Sequence, residues 1–273
     1  MKRSLLLLLL ALICSVRVNA ATLIHQYDLD GDFIDSLGGE PLDVFNAQSS
    51  SFFGGEWTWV SSESWPNEDR DPGAGLVLEA SLDNPENYSL AFRFKFNEVG
   101  RYSEREDGEG YIKIVSFLGD QDDNGLYFYD TKLNLFPFDE LSDMEFMPGT
   151  YYDFLITRSS AGGGGVRVYV VSEGVQSLVY DLADPDGDTI PQDLNNGRYE
   201  FRLFMDDLDT EDEWTTGGSV SFVKAWDDAV SESEVGDAVK DLVQSVPVPA
   251  LPFYPLLILA GMLGFLGVCS LRL

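Results

Sequence analysis

From Tyr88 to Phe96 the side chains alternate without a break: Leu90, Phe92, Phe94 and Phe96 on one side, Ser89, Ala91, Arg93 and Lys95 on the other. Neighbouring side chains of an extended chain point to opposite faces, so a period of two rich in aromatics predicts a half-exposed antiparallel β-strand. The signature returns along the chain. Residues 111–117 and 126–130 flank an acidic turn at 119–125, and 132–138 offer a further strand. Residues 151–158 and 166–171 flank the glycine run 162–165 as a hairpin, and Glu173-Gly174 turns the chain into 176–182. Residues 198–205 and 217–226 give two more strands around an acidic loop at 206–213. Residues 57–85 read as long surface connections around a short strand at 75–78, and 98–110 as a charged loop. Strands at this spacing, with hardly any helical period between them, predict an all-β fold: a two-sheet antiparallel β-sandwich.

The organising stretch is residues 217–235, in which a two-glycine turn feeds a strand and the strand runs into a capped helix start. Strict alternation puts Val220, Phe222, Lys224 and Trp226 on one face and Ser221, Val223 and Ala225 on the other, with both faces partly covered. Ser231 and Glu234 have the spacing of a capping box. Through Val220, Phe222, Val223, Trp226, Val230, Ser231, Glu234 and Val235 the stretch resembles the closing strand of concanavalin A-like, laminin-G-type jelly rolls. Residues 21–39 resemble the first strand of such modules at Tyr27, Leu29, Gly31, Asp35, Ser36 and Gly38. The middle of the chain fits at Pro148, Gly149, Tyr151, Thr157, Arg158, Tyr169 and Gly174. The resemblance implies one concanavalin A-like sandwich over residues 21–243, with its first and last strands side by side. Ser221 stands where the family pattern usually has Asp.

The two ends of the chain carry their own signals. Residues 1–20 combine Lys2 and Arg3, an apolar run from 5 to 13, and small-residue spacing at Val18 and Ala20, the pattern of a secretory signal peptide cleaved after Ala20. Cleavage removes Cys14, and Cys269 lies in an apolar tail, so the exported domain is expected to hold no internal disulfide. A Pro-containing linker at 244–252 leads into the uncharged run 253–271, long enough to span a bilayer as a helix, and 272–273 with Arg272 form a cytoplasmic end. The tail resembles the PEP-CTERM class of bacterial sorting signals, although Val248 replaces the usual Glu and a single Arg ends it. That resemblance implies a Gram-negative type of host and an exosortase-type processing enzyme as partner. The expected location is the cell membrane with the domain outside, or the cell surface once the tail is processed.

A net charge of −30 argues against a nucleic-acid partner, whose phosphates need a basic surface, and against an anionic lipid surface. Locally, Asp184, Asp186 and Asp188 occupy loop positions one, three and five, the Ile190 carbonyl position seven and Asn195 position twelve, an oxygen spacing that suits calcium. The run resembles a thrombospondin type 3 calcium repeat, with Thr189 for the usual Gly; the alternative is a solvated Asp/Gly turn. In the laminin-G-like family the Asp at the position of Asp35 helps hold a structural calcium, so Asp35 is a further candidate ligand whose usual partner Ser221 has replaced.

Catalytic signals are sparse. His25 is the one histidine, no Gly-x-Ser-x-Gly turn supports a triad, and Glu140, Asp143 and Glu145 fit neither carboxylate pattern of glycoside hydrolases on this fold and read as a loop. Trp57, Trp59, Trp65, Tyr127 and Tyr129 suit sugar stacking or, more commonly in a β protein, packing. The expected function is non-enzymatic binding of an extracellular polysaccharide or surface protein; the alternative is a polysaccharide-degrading glycoside hydrolase.

Overall fold

A computed structural model describes residues 20–60, 74–97, 111–119, 122–129, 131–138, 140–205, 213–214 and 217–240. In chain order its strands are β1 Leu23–Tyr27, β2 Asp43–Phe45, β3 Ser50–Phe52, β4 Trp57–Trp59, β5 Gly75–Ala80, β6 Tyr88–Phe96, β7 Tyr111–Ser116, β8 Gly125–Tyr129 and β9 Lys132–Phe136. They continue with β10 Glu140–Glu145, β11 Tyr152–Ser159, β12 Gly165–Ser172, β13 Val175–Ala183, β14 Gln192–Asp193, β15 Tyr199–Leu203, β16 Glu213–Trp214 and β17 Gly218–Trp226, before the one-turn helix α1, Val235–Ala238. The first sheet runs β13-β12-β11-β6-β17-β4-β3, with β1 also on β17; the second runs β10-β9-β8-β7-β15-β5-β2, with β14 on β15 and β16 on β7. Pairing is antiparallel except at the two-residue β16, which runs parallel to β7. The all-β, two-sheet architecture expected from the alternation is therefore present.

β17 has all nine residues buried because every side of it is occupied. β6 pairs along one edge, while β4 and then β1 share the other, so the first and last strands are neighbours as the resemblance implied. Its faces differ from strict alternation. Val220 pairs with Phe94 but Phe222 already pairs with Arg93, so Ser221 is an extra residue in a β-bulge. Past the bulge the parity of the strand reverses. Val220 consequently joins Val223 and Ala225 in the core between the sheets, while Phe222 and Trp226 face outward. The Ser221 hydroxyl is buried there without a hydrogen-bond partner.

The outward residues do not meet water. Ala91, Leu155, Tyr169, Val171, Phe222 and Trp226 form a second apolar layer under Val230, Val235, Ala238 and Val239. The capping box forms at Ser231 and Glu234 and starts this cover. At its far end the buried Lys224 ammonium donates to the carbonyls of Ala238 (3.2 Å) and Lys240 (2.6 Å), groups a helix terminus leaves unpaired. The Ser89 hydroxyl donates to the Asp228 carbonyl (3.0 Å) and accepts the Val230 N–H (2.8 Å). β6 is thus covered on both faces over its first half, rather than half-exposed throughout. Leu90, Phe92, Phe94 and Phe96 lie in the inter-sheet core as the alternation predicts.

The β12–β13 hairpin closes on Glu173 (φ 52°) and Gly174 (φ 78°), two left-handed residues in succession, which give the strands the twist a two-residue turn must match. Several strands carry too little signal to be read from sequence. β2, β3 and β4 have three residues each, too few to display a period. β10, read as a loop, is a sheet edge bearing exposed Glu140, Asp143 and Glu145, and charge along an exposed edge discourages pairing with another chain.

Among the described residues no helix is long and apolar enough to cross a membrane. Residues 1–19 of the expected signal segment, the expected linker 244–252 and the apolar run 253–271 lie outside them.

Candidate functional site

At one end of the sandwich the chain leaves β13 and reaches β15 through residues 184–198, and this connection is built on one carboxylate. Asp184 is 1% exposed. Its Oδ2 accepts from Arg158 Nε (3.0 Å), the Thr189 hydroxyl (2.7 Å) and the Thr189 N–H (3.2 Å), and its Oδ1 accepts the Asp188 N–H (2.8 Å). Arg158, at the end of β11, also donates through Nη1 to the Glu86 carbonyl (2.8 Å). From the other side Tyr88 donates its hydroxyl to the Thr189 carbonyl (2.8 Å), and Asn124 donates to the Asp188 carbonyl (3.1 Å). The turn is held from outside by three side chains, Arg158, Tyr88 and Asn124.

The electrostatics follow from these contacts. Burial by itself raises the Asp184 carboxyl, but the Thr189 hydroxyl, the Asp188 and Thr189 N–H groups and Arg158 together hold it below the usual carboxylate range. Asp188 moves the other way: burial and the neighbouring Asp184 charge raise it, against an opposing hydrogen bond from Asn124.

This geometry engages the position-one residue of the calcium-like spacing within the fold. The position-one ligand, Asp184, points inward to a guanidinium and has its oxygens filled by protein donors, while Asp186 at position three is exposed. Among the described residues no group of three or more His, Cys, Asp or Glu side chains is arranged to hold a metal ion. Arg158 and the Thr189 donors occupy Asp184 Oδ2, so the position-one carboxylate is engaged by protein groups.

Two of the remaining loop residues, Ile190 and Asn195, instead line a cleft. It has a volume of about 480 Å³ and is walled by Leu118, Gly187, Ile190, Pro191, Gln192, Asp193, Leu194 and Asn195. The Gln192 N–H donates to the Phe117 carbonyl (2.7 Å), and the Asp193 carboxylate accepts the Asn195 N–H (2.7 Å), so the wall has a defined backbone. The side-chain oxygen of Gln192 is buried and has no hydrogen-bond partner. Gly119 lies against it, where a Cβ would come within 1.8 Å. Leu118, Gln192 and Asp193 were not singled out from sequence, because their meeting depends on a contact between two distant loops.

Asp35 is likewise turned inward. Its Oδ1 accepts the N–H groups of Gln26 (3.0 Å) and Leu37 (2.9 Å), and its Oδ2 accepts the Gly39 N–H (3.1 Å) and lies 2.8 Å from His25 Nδ1. Burial raises this carboxyl too, yet the Gln26 and Leu37 N–H groups and His25 hold it below the usual range. Four protein groups surround the Asp35 carboxylate, and His25 is a satisfied histidine stacked with Tyr27. Gly39 is required by close approach: a Cβ there would lie 2.2 Å from Asp35 Oδ2 and 2.9 Å from His25 Nδ1. Gly39→Ala is therefore expected to destabilise by about 1–3 kcal/mol, read as a lower urea midpoint with an unchanged slope.

The aromatic candidates are mostly core. Trp57 and Trp59 stack at 4.9 Å and are 0% and 2% exposed, and Tyr127 is 1% exposed. Tyr129 is half-buried against Tyr111 at 4.8 Å, and Trp65 lies outside the described residues.

No family model and no curated protein matches this chain. Solved structures do, at low identity. Trypanosoma rangeli sialidase in complex with 2,3-difluoro-KDN is 13% identical with a TM-score of 0.55, the match covering 82% of this chain and 33% of the sialidase. The same enzyme in complex with sialic acid gives 12% and 0.51, over 82% and 33%. Domain 4 of a GH43 extracellular arabinanase from Geobacillus stearothermophilus, in complex with arabinotriose, is 15% identical with a TM-score of 0.46, over 81% of this chain and all 100% of that one. What is shared with the sialidase is the fold: a sandwich of two antiparallel sheets. The chain spans a third of the sialidase it matches.

Proposed function

We propose that this chain is a non-enzymatic saccharide-binding β-sandwich of the cell exterior, with the ligand held in the cleft of residues 187–195. The observation that carries the reading is the make-up of that cleft. Leu118, Ile190, Pro191 and Leu194 offer apolar surface for the C–H face of a sugar ring, while Gln192, Asp193 and Asn195 offer hydrogen-bonding groups at its edge. The Asp193 carboxylate and the Asn195 amide, both on exposed residues of the lining, are the polar groups a ligand hydroxyl would meet, while the buried Gln192 oxygen is packed against Gly119. Its walls are preorganised by the Asp184 turn, which lowers the cost of ordering them on binding. The two-sheet fold is also that of the matched third of a sialidase solved with sialic acid, which makes saccharides the first ligands to try.

The finer features belong to the same proposal: a concanavalin A-like jelly roll, export by the N-terminal signal, and anchoring through residues 253–271 with PEP-CTERM-type processing. Binding is favoured over hydrolysis because Glu140, Asp143 and Glu145 sit on the exposed edge strand β10, away from the cleft, and among the described residues that line it Asp193 is the one carboxylate.

The test is a glycan array with the purified full chain, run beside an assay for released reducing ends. Wild-type protein is expected to retain a subset of glycans, and Gln192→Ala to weaken that retention about threefold to tenfold without lowering the melting temperature. Release of reducing ends that disappears in Glu140→Gln or Glu145→Gln would overturn the non-enzymatic reading.

A further inference from the structure

We infer that the cleft selects uncharged saccharides and rejects those bearing carboxylate or sulfate groups. This rests on the saccharide-binding reading above and narrows it to a ligand class. Recognition of an anionic sugar needs a cation with free donors, because a carboxylate leaving water must be paired. Among the described residues the cleft lining contains no Lys, Arg or His.

The arginines at this end of the sandwich are already committed. Arg158 is held by Asp184 at 3.0 Å, Arg198 by Glu79 at 3.1 Å and Glu40 at 3.5 Å, and Arg202 by Glu200 at 2.7 Å. Negative charge, in contrast, is close on several sides. Asp193 is part of the wall, Asp186 and Asp188 flank the lining residue Gly187, and Asp122 is near enough to Asp188 to act on it. Behind this local field stands a chain of net charge −30.

The polar groups present match a neutral sugar instead. The Asp193 carboxylate is an acceptor for hydroxyl donors, and the Asn195 amide carries both donor and acceptor. Four apolar residues take the ring faces. A volume of about 480 Å³ falls in the range of about 300–1,000 Å³ usual for small-ligand sites.

The experiment uses matched pairs that differ in charge: galactan against polygalacturonate, xylan against glucuronoxylan, lactose against sialyllactose. Each is titrated against the full chain at low and at physiological salt. The expected result is binding of at least one neutral member, with its acidic counterpart about tenfold or more weaker at low salt and the gap narrowing as salt screens the repulsion. Asp193→Lys is expected to raise affinity for the acidic member by about tenfold at low salt.

Acidic members bound as tightly as neutral ones, or more tightly with affinity falling as salt rises, would overturn the charge selection and leave saccharide binding standing. No binding by any member would overturn the saccharide reading itself. Neutral binding that neither Gln192→Ala nor Asp193→Lys alters would move the site away from this cleft and so overturn the inference.

Discussion

Replacing Arg158 by alanine is expected to cost about 3–5 kcal/mol of folding stability, measured as a fall in the urea midpoint. The substitution leaves Asp184, 1% exposed, as a buried charge without its cation, and deprives the Glu86 carbonyl of its donor. Breaking one side of a buried pair is far more damaging than removing both sides, because the stranded charge keeps its desolvation penalty. The double variant Arg158→Met with Asp184→Asn should accordingly recover part of the loss, and a double-mutant cycle isolates the coupling. A double variant as unstable as the sum of its singles would show that Arg158 acts through packing alone.

The same pair sets the response to acid. Asp184 and Asp35 both have folded-state carboxyls held low, so the unfolded chain binds protons more readily than the folded one. Their stabilisation is fully present above the ordinary aspartate value of about 3.9 and is lost as pH falls through their folded values. Asp188, raised on folding, works in the opposite sense and offsets a share of the loss. Urea midpoints measured downward from about pH 6 should fall through the acid range, and the fall should be shallower in Arg158→Ala because Asp184 has lost the guanidinium. Calcium added to the wild-type protein is expected to leave the midpoint unchanged, since Arg158 already neutralises Asp184. A saturable rise in midpoint with calcium would return the 184–195 loop to the metal reading.

Phe94→Ala is expected to have a comparable effect, about 3–5 kcal/mol, out of a total stability of about 5–15 kcal/mol for a domain. The ring lies between the two sheets, with centroids at 4.9 Å to Phe96, 5.1 Å to Phe154, 5.1 Å to Phe204, 5.6 Å to Phe92 and 6.1 Å to Phe128. Neighbours contributed by both sheets cannot collapse into the space without moving strands, so the cavity term adds to the lost transfer energy. Aromatic pairs add further terms of about 0.5–1.5 kcal/mol each. Phe53→Ala, at a site 78% exposed, is the control and should stay within about 0.5 kcal/mol of wild type. Equal effects at the two positions would contradict the described core.

Much of the architecture was legible because it is written in short-range pattern. Period two in Tyr88–Phe96 placed Phe92, Phe94 and Phe96 on one face, the Glu173-Gly174 pair marked a hairpin, and the resemblance of the first and last strands made them neighbours. Each signal depends on residues a few positions apart, where backbone geometry alone ties sequence to direction. The tertiary structure decided what local pattern does not contain. The bulge at Ser221 reversed the faces of β17, because register against Phe94 and Arg93 is set by the partner strand. It also decided the fate of the acidic loop. Spacing made Asp184, Asp186 and Asp188 look like ligands, yet only the fold shows that Arg158, 26 residues earlier on another strand, pairs with Asp184. The cleft has the same origin: Leu118 meets residues 187–195 only when β7 and β15 pair, since a carboxylate or an amide takes its role from the donors that folding brings to it.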